Sequence, residues 1–179
     1  RAVSHDCMPP GNERIKCMIL LVVLMLSVSP AFGISTADSL RAEMGRTSGT
    51  RRIDLMNEMA AALIYSGEKD GYGWAKKALD SSAASKYPAG MAEARSAIGS
   101  MYSLSGDYKK ALDSYLQGVR DVNDNPALPV TGRLHAKMGD MYAKLGMKVE
   151  AYAAMKKSLP ILLSAGNTVE AGYIANYLG

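Results

Sequence analysis

An internal repeat with a period of 40 residues constrains this chain more than any other feature it carries. Arg95-x-x-Ile98-Gly99-x-x-Tyr102, followed by Ala111-x-x-x-Tyr115, aligns without a gap on His135-x-x-Met138-Gly139-x-x-Tyr142, followed by Ala151-x-x-x-Met155. A further 40 residues on, Gly179 keeps step, with Leu178 and Ala175 in matching places. An earlier, degenerate copy reads Met56-x-x-Met59-Ala60-x-x-Leu63, with its Ala at Ala78, six residues late. The surplus is expected to loop out in Gly67-Glu68-Lys69-Asp70-Gly71-Tyr72-Gly73, with Trp74 anchoring the next helix. The register then returns, since Lys76-Lys77-Ala78-Leu79-Asp80-Ser81 recurs verbatim as Lys109-Lys110-Ala111-Leu112-Asp113-Ser114. A period of this length describes a unit that cannot bury its apolar side alone and must stack on its neighbours.

The units are helical. Ala, Leu, Met and Lys abound while β-branched residues are sparse outside one early run, a mixture that favours helices. Apolar residues at three-and-four spacing run through Ile53, Met56, Met59, Ala60 and Leu63, and through Ile98, Met101 and Tyr102. Glycine inside a helix costs about 1 kcal/mol relative to alanine, so Gly99 facing Ala111, and Gly139 facing Ala151, imply backbones that approach closely. Ser105-Gly106-Asp107 supplies a C-terminal glycine and then an N-cap, and Leu145-Gly146 falls at the same place in the next unit. Tyr87-Pro88-Ala89-Gly90 and Asn123-Asp124-Asn125-Pro126 break the chain between helix pairs. The expected helices are 51–65, 74–86, 90–105, 108–122, 129–145, 148–164 and 168–179, with Pro160 kinking or shortening the sixth.

These residues resemble the tetratricopeptide repeat, in which a large residue, Leu-Gly and Tyr mark a first helix, and Ala and an aromatic mark a second. Here Arg95 and His135 stand at the large position, and the period is 40. The resemblance covers 51–179 and implies an all-α domain of helix-turn-helix repeats stacked as a right-handed superhelix. Its repeats would be about 51–88, 89–126 and 129–166, with a partial one at 168–179. Gly179 stands where the next second helix has yet to begin, so the chain is expected to stop within a repeat. The resemblance also implies which positions of each first helix line the concave side. They are Asp54, Asn57, Ala61 and Ile64; Glu93, Ser96, Ser100 and Ser103; Arg133, Ala136, Asp140 and Ala143; then Tyr173 and Asn176. The polar members, with Tyr173, are the candidate contacts for a protein or peptide partner. Family members that clamp a terminal carboxylate use Lys and Asn there; Asn57 is present but Ala61 is no donor, which argues against that ligand.

Outside the repeats, Cys17 to Val28 forms a twelve-residue apolar run, preceded by Arg14 and Lys16 and followed by Ser29-Pro30-Ala31-Phe32-Gly33. That order describes a leader and signal peptide over 1–33, cleaved before Ile34, with a linker over 34–50. The run is shorter than the ~20 residues a spanning helix needs. The expected location is therefore across the inner membrane, in the periplasm or another extracytoplasmic space. Both cysteines, Cys7 and Cys17, precede the cleavage site, which leaves no disulfide, zinc site or catalytic thiol to the mature chain. Translation is expected to begin at Met8 or Met18.

Cleavage changes the formal charge from +4 to about +3. Paired lysines at 76–77, 109–110 and 156–157 are interleaved with acids, which describes solvated helix faces rather than a nucleic-acid footprint. His135 is the one histidine after the cleavage site, and at the large position it is expected to pack between helices. Gly71-Tyr72-Gly73 follows no strand and lacks a third glycine, so it is no nucleotide loop. No serine sits at a strand-turn-helix elbow, and Asp54 with Glu58 has ordinary helix-surface spacing. The expectation is a binding scaffold that is not an enzyme and carries no cofactor or metal. The alternative is the N-terminal sensory part of a membrane-bound signalling protein, which the run Arg52-Ile53-Asp54-Leu55-Met56-Asn57-Glu58-Met59-Ala60 after a signal peptide resembles. In that case a histidine kinase, nucleotide cyclase or DNA-binding effector would follow, and the membrane would be reached through the signal peptide or a downstream helix.

Overall fold

Alternating helices and tight turns build the chain, and the turns show why each helix stops. Gly67, Gly106, Gly146 and Gly166 sit at φ of 77°, 79°, 79° and 73°, a left-handed conformation that glycine adopts without penalty at a helix C-terminus. Asp107 and Asn167 then cap the helices that follow, accepting from Lys110 N at 3.2 Å and Glu170 N at 3.3 Å. A computed structural model describes residues 36–179. The signal-peptide reading of 1–33, with Cys7 and Cys17, lies outside the described residues.

Within them the architecture is all-α. The elements are α1 (Thr36–Met44), α2 (Gly49–Tyr65), α3 (Gly71–Ala84), α4 (Pro88–Leu104), α5 (Tyr108–Asp121), α6 (Pro129–Lys144), α7 (Lys148–Ser164) and α8 (Thr168–Leu178). Each packs on the next in sequence, and in addition α2 packs on α4 and α4 on α6. The helices therefore pair as α2–α3, α4–α5 and α6–α7, and first helices lie against first helices.

The core is divided among neighbouring helices, as stacked units require. Ala92, Ala111, Tyr115, Leu134 and Met138 form a central cluster, while Ala60, Ile64, Ala75 and Ala97 form another. Ala136, Met155, Leu162 and Ile174 seat α8 on the pair before it. Glycines set the closeness: a Cβ on Gly139 would meet Met155 Cγ at 2.5 Å and Ala151 O at 3.4 Å. At Gly99 the facing group is the ring of Tyr115, rather than Ala111.

Three expectations are corrected. The stretch 34–50 is not a linker throughout: α1 lies in it, and Leu40 and Met44, one turn apart, bury against Leu55, Met59 and Leu63. Gly71 and Gly73 do not loop out but open α3, because a Cβ on Gly71 would stand 2.6 Å from Ile64 Cγ1 and 2.9 Å from Ile64 N, which makes Gly71 a close-approach residue. Trp74 is half-buried beside Ala75 and under Lys77, whose Nζ lies 4.9 Å from the ring centroid. Pro160 neither ends nor shortens α7, which continues to Ser164. Pro160 and Lys156, whose carbonyl loses its helical donor, are both exposed, so water can satisfy the freed oxygen.

Candidate functional site

The four first helices, α2, α4, α6 and α8, line one groove of about 910 Å³. Small side chains, Ala61, Ser96, Ala97 and Ser100, form part of its lining. Charged groups of both signs line it as well: Arg51, Asp54, Glu58 and Glu93, then Arg133, Lys137 and Glu170. Tyr65, Tyr87 and Tyr173 add aromatic surface.

Of the residues expected on the concave side, Asp54, Asn57, Ala61, Ile64, Glu93, Ser96, Ser100, Arg133 and Tyr173 are brought together here. Ser103 and Asp140 line a smaller adjoining cavity of about 170 Å³, which shares Ile64, Ser100 and Lys137 with the groove. Ala143 is half-buried and Asn176 exposed, and both lie outside these cavities. Ala136 is 4% exposed and belongs to the core. It shares its repeat position with Asn57 and Ser96, which line the groove although they are only 8% and 6% exposed.

Polar contacts fix the walls. The Tyr87 hydroxyl donates to Asp54 Oδ1 at 3.0 Å, tying the corner before α4 to α2. Asn57 Nδ2 donates to Gly90 O at 3.1 Å, which joins the same two helices from inside. Arg133 pairs with Glu93 across the α4–α6 seam. Lys137 Nζ donates to Ser100 Oγ at 2.9 Å and lies 5.9 Å from the Tyr115 ring centroid. Tyr173 donates its hydroxyl proton to Asp140 Oδ1 at 3.3 Å, holding α8 to α6.

Burial shapes the electrostatics of these groups. Desolvation raises the Glu93 carboxyl above its ordinary range even though Arg133 faces it. The same cause lowers the Lys137 ammonium, which the charge of Glu170 partly restores, and raises the Asp140 carboxyl. Burial pushes the Tyr115 phenol up to about 12 and raises that of Tyr87, where the bond to Asp54 adds to it.

No family model matches the chain, and no curated protein matches it.

Among the described residues no group of three or more His, Cys, Asp and Glu side chains could hold a metal ion. What the groove offers is hydrogen bonds and ion pairs of either sign beside small side chains. Sequence reasoning missed Lys137, although Arg133, Lys137 and Asp140 stand at i, i+4 and i+7 on one helix face. It also missed Tyr87, which reaches the groove from a corner, and Asn167, Val169 and Glu170 at the start of α8. His135, by contrast, stands away from the groove. It is 6% exposed, with Nε2 2.7 Å from Asp124 Oδ1, and Lys157 pairs with the same carboxylate. That cluster pins the α5–α6 corner, where Asn123 and Asp124 both hold a φ of 51°.

Proposed function

We propose that the chain is an exported binding scaffold of the tetratricopeptide type, whose helix pairs wind into a right-handed superhelix and whose groove takes an extended segment of a peptide or protein. It acts by binding, without chemistry of its own. The observation that carries this is the groove itself: four helices line it with small side chains and with donors and acceptors of both signs. Small side chains let a peptide main chain come close, and donors and acceptors together suit the N–H and C=O groups of an extended chain. The 40-residue repeat supports the stacking that makes such a surface. Export is supported by the order of basic, apolar and small residues over 14–33. None of the described helices is long and apolar enough to cross a membrane.

Peptides selected by display against the full chain test the binding role. The selected peptides should lose at least tenfold in affinity for Ala61→Trp, which crowds the groove, with the melting curve of the protein unchanged. Equal binding by that variant would remove the groove from the account. For export, the chain expressed in a bacterial host should appear outside the cytoplasm with Ile34 as its first residue by mass spectrometry, and an uncut cytoplasmic chain would count against it.

A further inference from the structure

We propose that the end of the groove between α2 and α4 is an arginine subsite, which takes the guanidinium of an Arg side chain in an extended peptide with Asp54 as its charge partner. The inference deepens the peptide-binding reading and rests on it.

Oxygen acceptors converge at this end. Asp54, Asn57 and Glu58 lie within one turn on α2, Glu93 stands opposite on α4, and all four line the groove. Two of the carboxylates are already closed by guanidinium groups of the protein. Arg51, which also pairs with Glu43 at 2.7 Å, has its Nη1 3.3 Å from Glu58 Oε1, and Arg133 pairs with Glu93. Asp54 lines the same groove and, among the described residues, forms no ion pair. Its Oδ1 accepts only from the neutral hydroxyl of Tyr87.

A second observation points to a donor entering here. Asn57 is 8% exposed, and while its Nδ2 is used on Gly90 O, its Oδ1 has no hydrogen-bond partner. Buried carbonyl oxygens are nearly always paired, so this one adds an uncompensated negative pole beside Asp54. Two further groups report the same field. The Glu93 carboxyl is raised first by burial, with Arg133 and Lys137 opposing and Asp54 adding to the rise. The Tyr87 phenol is raised by burial, then by Asp54 and Glu93. Counting every charged group that lines the groove, Asp54, Glu58, Glu93 and Glu170 stand against Arg51, Arg133 and Lys137, and Arg51 is shared with Glu43 outside it. One carboxylate is left over for a ligand cation. A planar guanidinium, with five N–H donors in a fork, can reach Asp54 and a second acceptor together, whereas an ammonium is a single point of charge.

The test is a ¹H–¹⁵N shift titration of the full chain with three probes: acetyl-Gly-Ser-Arg-Ser-Gly-amide, its citrulline analogue and its glutamate analogue. The arginine peptide should move the side-chain amide of Asn57 and the backbone amide of Gly90. The citrulline peptide, of the same shape without the charge, should bind at least tenfold more weakly. Asp54→Asn keeps an acceptor for Tyr87 and should bring the arginine peptide down to the citrulline level. Equal binding of arginine and citrulline peptides by the unaltered protein overturns the subsite, whether or not the variant folds. If the glutamate peptide moves groove residues and the arginine peptide moves none, the subsite falls and the groove stands. If none of the three moves a groove residue, both fall.

Discussion

Replacing Gly99 and Gly172 by alanine, one at a time, should move stability in opposite directions, although both glycines lie inside helices. Helix propensity alone favours either change by about 1 kcal/mol. At Gly172 in α8 a Cβ meets nothing within 4 Å, so most of that gain is realised. At Gly99 in α4 the new carbon would stand 2.6 Å from Cδ1 and 2.8 Å from Cζ of Tyr115. The ring has nowhere to go: Tyr115 is 1% exposed, packs in the central cluster, and has its hydroxyl 3.4 Å from Ser100 Oγ. Relief requires α4 and α5 to move apart, and overpacking of this kind costs about 1–3 kcal/mol. The net expectation is a loss of about 1–2 kcal/mol for Gly99→Ala and a gain of up to about 1 kcal/mol for Gly172→Ala. Urea unfolding followed by far-ultraviolet circular dichroism reads both, with thermal midpoints shifting by about 2–4 °C per kcal/mol. A Gly99→Ala protein as stable as the parent would refute the close-approach argument for the repeat's glycines.

Other outcomes follow from single contacts. Met44→Ala should cost about 2–4 kcal/mol in the same urea assay, because Met44 is 5% exposed against α2; a neutral result would detach α1 from the fold. Pro160→Ala should stabilise by about 1–3 kcal/mol by restoring the N–H to an exposed helix position, and a loss would show that the ring packs on something. Asp124→Asn should cost about 1 kcal/mol at neutral pH, a figure that allows for screening of a side chain 38% exposed. Burial raises that carboxyl, but Lys157 and His135 together hold it below its ordinary value. Its contribution is then present above the unfolded value near pH ~4 and is lost as pH falls through the lower folded value. The Asn variant should therefore show a flatter acid limb in its stability curve, and parallel curves would contradict the pairing.

Most helix positions were legible in the sequence because two rules coincide in each repeat. An apolar stripe at three-and-four spacing ends in a glycine that requires positive φ, so α6 and α7 match the expected 129–145 and 148–164 almost residue for residue. Helix α1 was not legible, since a nine-residue helix in which Leu40 and Met44 are the only buried side chains among those described makes no recognisable stripe. Gly71 was misjudged because a glycine that opens a turn and one that admits a neighbouring backbone look the same in sequence. In the groove, rows were taken at fixed repeat positions. The fifth position is largely buried, as Asn57, Ser96 and Ala136 show, and the sixth, held by Lys137, also lines the groove. Tyr87 lies outside any helical row and reaches Asp54 only through the fold of the α3–α4 corner.

Site-specific photo-cross-linking tests the central claim most directly. With a benzophenone amino acid at position 61 in the groove lining, or at position 109 on the exposed side of α5, the full chain is irradiated with a display-selected peptide. The account predicts an adduct from position 61 and none from position 109. An adduct from position 109 alone would contradict it.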